Sequence, residues 1–117
     1  MPQIQGSYAE SGATQYVTPS AGAVETKVVK AAPGKVFSLM VVNVKASTIY
    51  LNVFDAATVT GTTLVVPPVK VPAGDFVNIT FDGGWTFATG LSIASSSTQS
   101  TYTATTTADL LLAVLYK

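Results

Sequence analysis

The sequence predicts an all-β fold: a single β-sandwich, jelly-roll or immunoglobulin-like Greek key, of about seven or eight strands with an extended N-terminal arm. Three observations predict it. From Val24 onward, β-branched and aromatic residues come in short runs of alternating polarity. Turn residues divide those runs, at Pro33-Gly34, Ala46-Ser47, Pro72-Ala73-Gly74 and Gly83-Gly84. No segment keeps a helical period long enough to be a helix. At 117 residues the chain has room for one domain, so one core must carry the fold.

Residues 1–23 are polar and Gly/Ser-rich, with Ile4, Tyr8, Tyr16 and Val17 scattered at no regular period. They read as an arm outside the sandwich domain of 24–117, either a disordered tail or a tether anchored on a neighbouring subunit by its tyrosines. The first expected strand is Val24 to Ala31. Lys35 to Lys45 follows, with Phe37, Leu39 and Val41 facing one way and Val36, Met40, Val42 and Val44 the other. Apolar on both faces, it belongs at the centre of a sheet, and part of its cover can come from a partner subunit. Thr48 to Phe54 alternates as a half-buried strand should. Leu64 to Val71 contains Pro67 and Pro68, which cannot donate to a ladder, so it is an edge strand or an extended connection.

Asp75 to Asp82 is again a strand, which Gly83-Gly84 is expected to end with a tight turn. Trp85 to Ser95 comes next, interrupted at Gly90. Ser95 to Thr107 has little to bury except Tyr102 and reads as an exposed loop or a flexible hairpin. Asp109 to Lys117 closes the chain as a second doubly apolar, central strand. Greek-key topology would set it beside Lys35 to Lys45.

Composition narrows function. Only 10% of residues are charged, well below what is usual for soluble domains, so the surface is neutral and easily desolvated against other protein. Net charge is zero and all six basic residues are lysines, which argues against nucleic-acid binding. The N-terminus does not read as a secretory signal, and the apolar run Leu110 to Tyr116 is too short to cross a membrane as a helix.

Catalytic chemistry is not expected either. The chain has no His and no Cys. Its acids, Glu10, Glu25, Asp55, Asp75, Asp82 and Asp109, are well separated in sequence. Asp75 and Asp82 would lie roughly 20 Å apart along an extended strand, too far for paired-carboxylate chemistry. No Ca²⁺ loop or phosphate loop is present, so neither metal nor cofactor is expected. Asn78-Ile79-Thr80 matches a glycosylation sequon in mid-strand, where it reads as chance. Trp85 could stack on a sugar but reads better as a lid on the core. The expected contact residues are Ile4, Tyr8, Tyr16, Val17, Trp85 and Tyr102, all for protein interfaces.

Three stretches carry a resemblance: APGKVFSLMVVNVKASTIYLNVFDAAT, then VKVPAGDFVNITFDGGWTFATGLSIASSST, then ADLLLAVLYK. Together, from Pro33 to Lys117, they resemble small tailed-phage virion proteins with β-sandwich decoration or cement roles. The resemblance implies a virion surface protein, assembled in the host cytoplasm, but no position on the particle. The low-charge surface, the arm and the lack of catalytic chemistry point to a capsid decoration or cement protein that binds the major capsid protein on the head as a homo-oligomer, a trimer at threefold or quasi-threefold positions being favoured. Its alternative is a tail-associated module presenting Trp85 and the loop from Ser95 to Thr107 to a receptor glycan. The resemblance implies no binding residues.

Overall fold

A computed structural model describes residues 13–18, 24–59, 63–105 and 110–117. Eight strands form two four-stranded antiparallel sheets: β1 (Thr14–Val17), β2 (Thr26–Lys30), β3 (Gly34–Asn43), β4 (Ile49–Phe54), β5 (Val69–Val71), β6 (Phe76–Phe87), β7 (Leu91–Ser96) and β8 (Leu110–Tyr116). The strand orders are β1-β8-β3-β6 and β2-β7-β4-β5. The pairings β1·β8, β2·β7, β3·β6 and β4·β5 are nested within one another, as when an antiparallel ribbon is rolled up. That nesting is a jelly roll, which decides between the two sandwich types expected.

The doubly apolar strands β3 and β8 are central and adjacent, paired from Val36↔Tyr116 to Asn43↔Leu110. The core lies between the sheets. Val36, Leu39 and Val41 of β3 meet Leu110, Leu112 and Val114 of β8, and across the gap Ile49, Leu51, Val53, Leu91 and Ile93 close on them. Phe87, fully buried, fills one end.

The expected arm contributes a strand of its own. β1 continues the β8 edge, and Thr18 extends it: its N–H and hydroxyl both bond the backbone of Leu112. The alternation signal was too weak to read because an edge strand of four residues needs only one inward apolar side chain, here Tyr16. Lys27 of β2 places its ammonium 4.6 Å from the Tyr16 ring centre, tying the two sheets together at this edge. Ile4 and Tyr8 lie outside the described residues.

Two boundaries differ from expectation. Gly83-Gly84 does not end a strand; both residues take positive φ, 75° and 90°, inside the continuous β6. Here β6 bulges, since Val36 pairs with Trp85 while Ser38 pairs with Thr80. A side chain on Gly84 would strike the Phe37 ring, its Cβ falling 2.8 Å from Cε1. The bulge also offsets β3, turning Val36 inward with Leu39 and Val41 and leaving Phe37 half-buried.

The corner comes later, at Ala88-Thr89-Gly90, where the Asp55 carboxylate accepts three backbone N–H bonds at 2.9, 2.8 and 3.3 Å. The Ala88 N–H is the main cause that holds the Asp55 carboxyl below its ordinary value, with Thr89 and Gly90 adding to it against a smaller opposing effect of burial. A carboxylate with a lowered folded pKa contributes stability above its unfolded pKa and loses it as pH falls through the folded one. Asp55→Asn is therefore expected to cost about 1 kcal/mol at pH 7, a charge-assisted set discounted for its exposure. Urea melts from pH 7 to pH 2 should show the difference between wild type and variant vanishing in the acid limb; a constant difference would refute the assignment.

Candidate functional site, an open apolar sheet face

Strand register sorts the outward side chains of the first sheet into rows. One row is Gln15, Leu115, Ser38 and Thr80; the next is Val17, Ala113, Met40 and Asn78; the third is Leu111, Val42 and Phe76. These alternate with the core positions of the same strands, so the backbone that builds the interior necessarily presents them on the other side. None carries a charge. Phe76 is 58% exposed, Val17 56% and Met40 38%, and Val44 continues the patch beyond β3 at 50%. Lysines and acids lie at its ends, with Lys35 and Lys117 at one and Asp75 at the other.

The second sheet treats its outer face differently. There the rows are Tyr50 with Ser96, Asn52 with Ala94, and Phe54 with Ser92. Phe54, Asn52, Ala94, Ser92 and Ser96 are all buried. The chain's own loops cover them: Ala56, Val59 and Tyr102 pack on Phe54 and Ala94. Tyr102 meets Phe54 edge-on, ring centres 5.6 Å apart at 83°. Burial, and secondarily the Glu25 carboxylate, hold its phenol above the ordinary value.

Hydroxyls then fasten the loop. Ser96 Oγ donates to the Thr98 carbonyl and accepts from the Thr103 N–H, while the Ser95 and Thr105 hydroxyls bond each other. The stretch expected to be an exposed loop or a flexible hairpin is exposed at Ser97 to Thr101, Thr103 and Ala104, while Tyr102 and Thr105 pin it over β7.

The sequence-predicted contact residues are therefore not brought together. Val17 lies on the open face. Tyr16, its neighbour, turns into the chain's own core. Trp85 is 47% exposed and leans on Phe81, which packs against the core, with ring centres 6.3 Å apart. Tyr102 belongs to the other sheet. Residue-by-residue reading missed Met40, Phe76, Leu111, Ala113 and Leu115, although the double apolarity of their strands was the signal that could have found them.

Chemically the face offers one thing, apolar area that gains by leaving water. Among the described residues no three His, Cys, Asp or Glu side chains gather where they could hold a metal ion. Comparison with protein families, curated proteins and solved structures finds no match.

Proposed function

We propose that this chain is a non-catalytic structural protein of a phage particle, a decoration or cement protein that binds and bridges subunits of the major capsid protein on the head. The observation that carries it is the contrast between the two sheets: the middle of one outer face is covered by the chain's own loops, with Val28 at its β2 edge still exposed, while the more apolar one stays open and uncharged. A monomeric domain rarely leaves a contiguous patch of this kind without a partner. The jelly roll is neutral here, since it hosts capsid and lectin domains alike. The resemblance of the stretch from Pro33 to Lys117 to virion proteins supports the particle; the low charge supports the contact.

Symmetric repetition over a shell lets modest contacts add, so no single one need be tight. β1, at the edge of the open sheet, places the start of the described chain beside this face. Trp85 and the loop of Tyr102 belong to different sheets, which does not favour a shared glycan-binding surface.

Purified particles of the source virus test this by imaging and quantitative mass spectrometry. The chain is expected on the outer shell, and Met40→Glu is expected to lower its occupancy about tenfold by placing a charge on the open face. Deleting residues 2–12, which spares β1, should lower it less. Label confined to tails, or absent from particles, would overturn the proposal.

A further inference from the structure

We propose that the open face of the β1-β8-β3-β6 sheet takes a second copy of this chain, packed face to face about a two-fold axis running along the strands between β3 and β8. The inference rests on the reading of this face as a protein-binding surface and names its partner. Side-chain size carries it. In the row Gln15, Leu115, Ser38, Thr80 the large residue next to the sheet's midline is on β8 and the small one on β3. In the next row, Val17, Ala113, Met40, Asn78, the order reverses, with the small residue on β8 and the large one on β3. The face therefore has two hollows, Ser38 and Ala113, on one diagonal and two knobs, Leu115 and Met40, on the other.

A two-fold axis along the strands lays β3 of one copy over β8 of the other. Leu115 then stands over the copy's Ser38 and Met40 over its Ala113, each contact occurring twice, as an isologous interface requires. Stacked sheets rotate by roughly 30° relative to each other, which spoils register far from the axis but little beside it, where these four residues lie. The third row, Leu111, Val42 and Phe76, is apolar throughout and needs no such matching. Lys35 and Lys117 fall on the rim, where solvent screens them.

The area suits a weak dimer. Ten residues of β3 span about 33 Å and four strands about 19 Å, which gives roughly 600 Å² per copy. Twice that sits at the lower bound of stable interfaces, so reversible association is expected in the micromolar range. A face-to-face two-fold closes at two copies, so the solution unit is a dimer and not the trimer that threefold positions suggest.

Sedimentation equilibrium of the full chain from about 1 μM to about 1 mM tests this. Wild type is expected to interconvert between monomer and dimer. Ala113→Met fills a hollow while adding apolar surface: it should weaken the dimer at least tenfold if the fit matters, and tighten it if the face is merely sticky. Met40→Glu should weaken it about a hundredfold, because each dimer carries the change twice. Thermal melts establish that the variants fold; should Ala113→Met not fold, Ser38→Leu fills the other hollow and makes the same test.

A wild type that stays monomeric throughout, or an Ala113→Met chain that associates as tightly, overturns the dimer. If wild type is monomeric and Met40→Glu still loses its place on particles, the face binds a different protein, and the dimer fails while the proposed function stands. A dimer that forms as described in a chain absent from particles gives the converse.

Discussion

Asn43→Leu is expected to lower the stability of the fold by about 3 kcal/mol, with a fall in melting temperature of about 10 °C. The Asn43 side chain is fully buried at the end of β3. Its amide donates to the carbonyls of Ser47 at 2.9 Å and Val71 at 3.0 Å, with Pro72 at 3.2 Å sharing a hydrogen, and its oxygen accepts from the Lys45 N–H at 2.9 Å. The backbone adds two bonds, from the Asn43 N–H to Asp75 and from Gly74 to the Asn43 carbonyl. One residue thus holds the turn that leaves β3, the end of β5 and the turn that enters β6.

Leucine keeps the branched shape and the two backbone bonds but is larger and supplies none of the side-chain bonds, so several buried polar groups lose their partner at once, the most costly kind of substitution in a packed interior. Asn43→Asp separates the two halves of the network: it keeps an acceptor for Lys45 but turns a carboxylate toward carbonyl oxygens. That raises its folded pKa above the unfolded one, so the variant should be least stable at neutral pH and recover as pH falls. Denaturant melts at pH 7 and pH 4 check both; an Asn43→Leu chain within about 1 kcal/mol of wild type would show that the clasp is dispensable.

How far the sequence carries is visible in the same elements. Two-sided apolarity places β3 and β8 at the centre of a sheet, because a strand apolar on both faces leaves a signal at every position. β1 leaves almost none, since one tyrosine and one threonine suffice for an edge strand whose pairing comes from β8. Gly83-Gly84 misleads for a specific reason: positive φ suits a tight turn and a bulge equally, and only the partner strand distinguishes them. The real corner at Ala88 depends on a carboxylate from the distant Asp55, which no local pattern records.

The open face has the same cause of invisibility. Met40, Ala113 and Val17 become one row only through register, and register is a property of two strands together. What the sequence does record is that Lys35 to Lys45 and Asp109 to Lys117 carry more apolar residues than one core can use.

Gly34→Ala should be as damaging as Asn43→Leu, at about 3 kcal/mol or more, although it adds a single methyl group. A Cβ at Gly34 would lie 2.2 Å from the carbonyl oxygen of Lys117 and 2.9 Å from Cζ of Phe87. The first collision is with backbone. That carbonyl accepts the Lys35 N–H at 3.0 Å while the Lys117 N–H donates to Lys35 at 2.8 Å, so this is the last closed pair of the β3·β8 ladder. The second is with a fully buried ring that pairs across from Gly34 and cannot retreat without opening the core. Phe87→Leu removes the ring contact but not the carbonyl, so the double variant Gly34→Ala/Phe87→Leu should stay at least as unstable as either single change. A double-mutant cycle by urea denaturation measures this, and a double variant more stable than Gly34→Ala alone would place the strain at the ring instead. Because Leu115 stands just inside the Lys117 end of β8, pushing that end away from β3 also spoils the Leu115 and Ser38 pair on the open face. Gly34→Ala should therefore weaken self-association even under conditions where the chain remains folded.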